Sequence, residues 1–241
     1  MTSVYDEVKR KAADILATHG LLEETVYVKA RALSAEEAIG NPESDDFPIQ
    51  KGKERLMQAE IRGALGQAFT DRFGDYRGTL NEIMAGGLNN NYRRAIFAAA
   101  LNAALRHLNL IGGTVHCRDQ EPGRCAAALC EHIFKRYGKV RIAQIGFQPR
   151  MTECLAARFP VRVLDMDQDN IGKEKHGVVV ESPENTESAA AWADLLLVTG
   201  TTFVNGTLPY FTVSKPVIFY GTTIAGAAYL MGWERFCAES S

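Results

Sequence analysis

The hydrophobic pattern of the first half predicts helices and strands in separate runs. Apolar side chains recur at every third or fourth position in three segments, which predicts helices at residues 3–18, 79–86 and 91–108. Apolar and polar positions alternate in residues 25–33, and residues 55–71 predict one or two strands that bend at Gly63 or Gly66. Residues 38–53 are rich in turn formers and predict an exposed loop. We therefore predict an α+β domain over residues 1–113.

The second half follows a different pattern, in which apolar strands alternate with helices. The predicted strands are residues 139–147, 161–167, 177–181, 194–200 and 215–221. Helices are predicted at residues 125–138, 150–159, 188–193 and 224–236. The strands are apolar throughout, which is typical of a parallel sheet covered by helices on both faces. We therefore predict an α/β fold class, with a Rossmann-like ligand-binding domain over residues 114–241.

Composition narrows the classes of partner. The 241 residues are 46% hydrophobic and 23% charged, with a net charge of −2, so no excess of basic residues points to nucleic acid or an anionic membrane. No apolar run reaches the ~18 residues that span a bilayer, and the charged N-terminus does not resemble a signal peptide. The five cysteines are an odd number, which favours a reduced, cytoplasmic protein. A homodimer is the expected assembly on base rates.

Small polar residues follow the predicted strands of the second half. Ligands of open parallel sheets bind at the carboxyl ends of strands, and the triplet Gly-Thr-Thr occurs at two of these ends. Threonine hydroxyls donate and accept hydrogen bonds without charge, and glycine permits close approach of the backbone. We interpret residues 198–211 as a ligand-facing loop, with Asn205 or Thr207 capping the next helix; the alternative is that these residues only turn the chain. The candidate ligand-binding residues at the strand ends are Gly146, Asp165, Asp167, Thr199, Gly200, Thr201, Thr202, Asn205, Thr207, Gly221 and Thr222.

Cofactor motifs are incomplete. The first strand is followed by "GFQPRM", which lacks the glycines of a dinucleotide fingerprint. Asp165 and Asp167 lie about 20 residues after Gly146, where a ribose contact is expected, although a solvated carboxylate fits equally well. No phosphate-binding loop of the P-loop type and no G-x-S-x-G motif occurs.

Histidines and cysteines cluster without the spacing of a zinc site. The cluster comprises His116, Cys117, Cys125, Cys130 and His132. Cys125 and Cys130 would lie about 140° apart on a helix, so we expect core or linker residues, with metal ligation as the alternative. Asn102 is the one polar residue from Ala95 to Leu105. It either ties its helix to a neighbouring strand or reaches a ligand between the domains.

Three parts of the chain resemble a known family. They are "GALGQAFTD", "RRAIFAAALNAAL", and "LLLVTGTTFVNGTL" followed by "KPVIFYGTT". They are similar to the putative heavy-metal chelation family, and the resemblance covers nearly the whole chain. It implies an enolase N-terminal-like domain before the Rossmann-like domain, and a ligand site in the cleft between them. It also implies that the site is formed by Gly146, Pro149, Asn102, Thr199, Gly200, Thr201, Thr202, Asn205 and Thr207. Family members have a Gly-Pro-Ser-type turn where this chain has Gly221-Thr222-Thr223.

Three functional hypotheses follow. The first is a small-molecule or metal-chelate binding protein, or an enzyme of cofactor or chelator metabolism, whose ligand is a transition metal ion or a metal chelate. The second is an enzyme that uses an adenosine-containing nucleotide, similar to a methyltransferase or a reductase. The third is a scaffold without catalytic activity that binds a partner protein. The missing glycine fingerprint disfavours the second hypothesis, and the polar strand ends disfavour the third.

Overall fold

The chain folds as a mixed α/β protein with two sheets. In the computed structural model, residues 3–29, 54–212 and 214–241 are described. The helices are α1 (Val4–Thr18), α2 (Leu80–Ala85), α3 (Asn91–His107), α4 (Glu121–Tyr137), α5 (Pro149–Ala156), α6 (Thr186–Trp192), α7 (Thr201–Asn205) and α8 (Ala225–Met231). The strands are β1 (Thr25–Lys29), β2 (Arg55–Ile61), β3 (Ala64–Thr70), β4 (Tyr76–Thr79), β5 (Ile142–Ile145), β6 (Val161–Leu164), β7 (Glu174–Lys175), β8 (Val178–Glu181), β9 (Leu195–Thr199), β10 (Val217–Tyr220) and β11 (Arg235–Phe236). The predicted loop at residues 38–53 and the end of the first predicted strand, residues 30–33, lie outside the described residues.

The first sheet is antiparallel, with the strand order β3-β2-β1-β4 among the described residues. The predicted bend in residues 55–71 is a hairpin that turns at Arg62 and Gly63, which both have positive φ. Helix α3 lies directly on β3, because a Cβ built on Gly66 would fall 2.2 Å from the backbone nitrogen of Ala103. No side chain fits at Gly66, so glycine permits this close packing of helix on strand.

The second sheet is largely parallel, with the strand order β11-β10-β9-β5-β6-β8-β7 among the described residues. The short β7–β8 pair is antiparallel, and the remaining pairs are parallel. From β5 the chain proceeds outward through β6 and β8, and it then returns to the other side of β5 for β9, β10 and β11. The strand order therefore reverses between β5 and β9, where open α/β sheets bind ligands.

Both faces of the parallel sheet are covered, as the apolar strands predicted. On one face, Ile142, Leu195, Leu197 and Ile218 pack in a cluster with Leu129 and other side chains of α4 and α5. On the other face, the alternate strand residues join a second cluster with α3, α7 and α8; these residues are Ala143, Leu196, Val198 and Phe219. This second cluster continues into the core of the antiparallel sheet, so the two sheets share buried side chains across α3.

Three short elements differ from the sequence prediction. The predicted loop at residues 198–211 contains helix α7, so Asn205 lies within a helix, and Thr207 precedes a single 3-10 turn without capping it through its side chain. The predicted helix at residues 224–236 ends at Met231, because Gly232 takes a left-handed conformation. The chain then adds β11 beside β10. None of the helices described is both long and apolar enough to cross a membrane.

Candidate functional site

A cavity of about 1060 Å³ lies at the carboxyl ends of β5, β6, β9 and β10. Glu54, Phe69, Asp71 and Asn91 line it from the first half of the chain. Ten of the thirteen predicted ligand residues also line it: Gly146, Asp165, Asp167, Thr199, Gly200, Thr201, Thr202, Asn205, Thr207 and Gly221. Pro149, Thr222 and Asn102 are not among the lining residues. The cavity therefore brings together strand ends that are distant in sequence.

The chain makes a tight corner where the strand order reverses. Gly146 has a φ of +89°, and a Cβ built there would lie 2.7 Å from Cγ2 of Thr199. The hydroxyl of Tyr220 donates a hydrogen bond of 2.7 Å to the carbonyl oxygen of Gly146, and Gln144 donates a second one of 3.0 Å. These two hydrogen bonds fix the backbone of the corner that faces the cavity.

Asp165 uses both carboxylate oxygens to hold two loops. Its Oδ2 accepts from the backbone N–H of Phe147 at 2.6 Å, and its Oδ1 accepts from that of Asp167 at 2.7 Å. Burial raises the pKa of this carboxyl, while the backbone donors oppose the rise. Each of these two oxygens keeps a lone pair for one further donor.

Carboxyl groups dominate the charge of the cavity. Six acidic residues line it: Glu54, Asp71, Asp165, Asp167, Glu184 and Glu187. None of the lining residues in the described part of the chain is lysine or arginine. Burial raises the pKa of Glu54 to about 7, and Asp165, Asp71 and Asp167 add like-charge repulsion. The potential in the cavity therefore favours a cation over an anion.

The hydroxyls after β9 form a polar rim. Thr202 donates to the carbonyl oxygen of Thr199 at 2.7 Å and so belongs to the helix turn. The hydroxyls of Thr199 and Thr201 lie 3.0 Å apart, and the Asn205 amide lies 3.9 Å from the sulfur of Met166. Thr201 and Asn205 are partly exposed, so both have hydrogen-bonding capacity left for a ligand.

Asn102 ties the two sheets together. Its Nδ2 donates to the carbonyl oxygens of Gln67 and Thr222, each at 3.0 Å, and its Oδ1 accepts from the backbone N–H of Gly226 at 2.7 Å. Of the two alternatives that the sequence left open, the structure shows the tie between helix and strand. Thr222 is fully buried, and Pro149 begins helix α5.

Three cysteines and a histidine also line the cavity: His116, Cys117, Cys125 and Cys237. The sequence predicted core or linker positions for His116, Cys117 and Cys125. Cys117 and Cys125 are indeed buried, but at the cavity wall. The thiols of Cys125 and Cys237 hydrogen-bond to each other, and this bond, together with the nearby Arg235, lowers the pKa of Cys237 to about 6.

The imidazole of His116 is held by a hydrogen bond to the backbone. Its Nδ1 lies 2.6 Å from the carbonyl oxygen of Cys117, and because a carbonyl only accepts, Nδ1 donates. Burial lowers the pKa of this ring. Within the described residues, no group of three or more histidine, cysteine or acidic side chains is arranged to hold a metal ion.

Sequence reasoning missed four lining residues of consequence. Glu54 and Asp71 border strands of the first sheet, and no local pattern connects them with a site in the second sheet. Phe69 lies in a strand and contacts the ring of His116 edge-on, with centroids 5.1 Å apart. Cys237 directly follows the helix predicted at residues 224–236, and no pattern in the sequence marks it as a strand-end residue. Correct placement of β11 would have put Cys237 at a strand end and provided the missing signal.

Comparison with known proteins gives a family match for part of the chain. Residues 128–225 match the model of the family DUF364, described as "Putative heavy-metal chelation". This match confirms the resemblance seen in the sequence over those residues. No curated protein matches the chain.

Two similar solved structures come from the same family and are described as having unknown function. One, from Pyrococcus horikoshii, is 16% identical, has a TM-score of 0.57, and covers 92% of this chain and 80% of its own. The other, from Desulfitobacterium hafniense, is 12% identical, has a TM-score of 0.50, and covers 73% of this chain and 72% of its own. At these identities the likeness shows the fold and leaves the ligand to be argued from the cavity.

Proposed function

We propose that this protein binds a small cationic molecule or a metal chelate in the cavity at the strand ends of its parallel sheet. The observation that carries the proposal is the charge of the cavity, which six carboxyl groups line without a lysine or arginine among its described lining residues. The cavity volume of about 1060 Å³ suits a ligand of cofactor size. The family description agrees with a metal-bearing ligand.

The polar groups of the cavity would have different roles in binding the ligand. The rim hydroxyl of Thr201 and the amide of Asn205 would orient the ligand through hydrogen bonds, since neither residue is fully buried. The carboxyl groups would supply the electrostatic attraction. Glu54, with a pKa of about 7, would accept or release a proton if the bound ligand reacts, and it is therefore the candidate general acid–base group of an enzyme.

The nucleotide hypothesis receives less support from the same residues. A phosphate would enter a cavity rich in carboxyl groups, where it would be repelled. Asp165, the predicted ribose ligand, already accepts two backbone hydrogen bonds. The scaffold hypothesis does not explain the depth of the cavity or its negative charge.

The test is recovery of the ligand with the protein. Untagged protein purified without chelators would be analysed by elemental mass spectrometry, and its organic extract by liquid chromatography with mass spectrometry. We expect a cationic or metal-bearing ligand near one equivalent, which the double variant Thr201→Val with Asn205→Ala loses while it keeps the circular dichroism spectrum of the parent. An anionic nucleotide in its place, or a ligand that the double variant retains, would disprove the proposal.

A further inference from the structure

Two thiols meet at the wall of the cavity. Cys125 belongs to α4, and Cys237 directly follows β11, so the contact joins residues 112 positions apart. Their side chains hydrogen-bond to each other, and both line the cavity. Cys237 stands at the carboxyl end of a parallel strand, the edge at which such sheets bind ligands. A pair of thiols at this edge is accessible from the cavity.

We propose that Cys125 and Cys237 form a two-thiolate site for a soft, monovalent cation such as Cu(I). Thiolate ligands select soft metal ions, and two thiolates suffice for Cu(I), whereas a structural zinc site needs four ligands. The described residues offer no arrangement of three or more ligands, so an ion satisfied by two is the better match. The inference rests on the proposed function, since the ion must enter the same cavity.

The charges around the pair favour a monovalent ion. The guanidinium of Arg235 hydrogen-bonds to Cys237 and is fixed by the carbonyl oxygens of Gly221 and Gly113. Two thiolates carry a charge of −2, and the ion and the guanidinium each contribute +1, so the assembly is neutral. Binding forms two metal–sulfur bonds, the remaining S–H protons pass to solvent, and no electron is transferred.

The chain contains a matched control pair. Cys130 on α4 and Cys154 on α5 also hydrogen-bond through their thiols, and like Cys125 they pack in the apolar cluster between α4, α5 and the sheet. Neither is among the residues that line the cavity. The two pairs share a helix, a thiol–thiol contact and a nearby guanidinium, which is that of Arg158 for the control pair, and they differ in access to the cavity.

The experiment titrates Cu(I) anaerobically against a competing Cu(I) chelator, with a reductant present. The double variant Cys130→Ser with Cys154→Ser should bind one equivalent as the parent does. The double variant Cys125→Ser with Cys237→Ser should bind at least ~100-fold more weakly. The proposal would be overturned if the two double variants bound Cu(I) equally well. It would also be overturned if only the variant Cys130→Ser with Cys154→Ser lost Cu(I) binding.

A second measurement needs no variant and covers the case in which a substitution prevents folding. In the parent protein, Cu(I) should slow alkylation of Cys237 by iodoacetamide and leave alkylation of Cys154 unchanged; equal rates at Cys237 with and without Cu(I) would overturn the proposal. Absence of Cu(I) binding by the parent protein rejects the thiol site alone, and absence of any recovered cationic or metal-bearing ligand rejects the proposed function.

Discussion

The hydroxyl of Tyr220 donates a hydrogen bond of 2.7 Å to the carbonyl oxygen of Gly146. Tyr220 is the last residue of β10, and Gly146 directly follows β5. Strand β9 lies between those two strands in the sheet. The bond therefore spans the reversal of strand order and closes the corner that faces the cavity. Burial raises the pKa of this phenol far above its ordinary value, so it stays protonated and remains a donor.

Substitution of Tyr220 by phenylalanine tests this bond. The change removes the donor, but Gln144 still donates to the same carbonyl oxygen at 3.0 Å. We expect the free energy of unfolding to fall by ~1 kcal/mol, the net value of one hydrogen bond. Urea denaturation measures this change. A loss above ~3 kcal/mol would mean that the ring itself is displaced and that the corner has collapsed.

Gly146→Ala should be more damaging than the phenylalanine variant. The new Cβ would lie 2.7 Å from Cγ2 of Thr199, in a backbone conformation with a φ of +89°. We expect a loss of ~2–3 kcal/mol of unfolding free energy and weaker ligand retention. Gly232→Ala is the control, since Gly232 also has a positive φ but no atom within 4 Å of its Cβ position; it should cost ~1 kcal/mol. Equal losses in the two variants would show that the contact with Thr199 is unimportant.

Asn102→Ala should weaken the junction of the two sheets. The variant leaves the buried N–H of Gly226 and the carbonyl oxygens of Gln67 and Thr222 without their side-chain partner. We expect a loss of ~2–4 kcal/mol of unfolding free energy, because buried polar groups become unsatisfied. Asn81→Ala, at an exposed hydrogen bond to Glu23, should change stability by less than ~0.5 kcal/mol. If both substitutions lowered the free energy of unfolding by a similar, small amount, Asn102 would not connect the two sheets.

Glu54 should make stability depend on pH below neutrality. Its pKa rises from the ordinary 4.5 to about 7 in the folded chain, mainly through burial. The folded state then holds a proton that the unfolded state releases, so stability falls as pH rises from about 4.5 to about 7. The stability lost through deprotonation of Glu54 is at most ~3 kcal/mol. This loss is complete above about pH 7.

Glu54→Gln should remove this contribution, because glutamine does not titrate. Thermal unfolding of the parent and the variant would be measured between pH 4.5 and pH 8. The measurement compares how steeply the stability of each protein depends on pH. Glu187→Gln serves as the control, since Glu187 lines the cavity but is itself exposed on helix α6. An unchanged slope in Glu54→Gln, or an equal change in the control, would contradict the assignment.

The strand-end residues could be predicted from sequence because each follows an apolar run. Gly146, Thr199 and Gly221 were identified from their positions after strands, and all three line the cavity. Asn102 was identified as a buried polar residue that needs partners, but the sequence could not name them, since Gln67 and Gly226 belong to other elements. The thiol contact of Cys125 with Cys237 was likewise invisible, because nothing in the spacing of two residues 112 positions apart indicates that they meet.

The sequence by itself determined most of the segments that become strands and helices, and which strand ends carry polar residues. These features depend on local periodicity and on glycine or threonine at the end of an apolar run, and both can be read within about ten residues. The tertiary structure alone decided that Glu54 and Asp71 of the first half approach Asp165 and Asp167 of the second. It also decided that a thiol pair stands at the cavity wall. The physical reason is that charge repulsion, burial and thiol contact arise from distances in space, and the order of strands in the sheet, which sets those distances, is not encoded in any single segment.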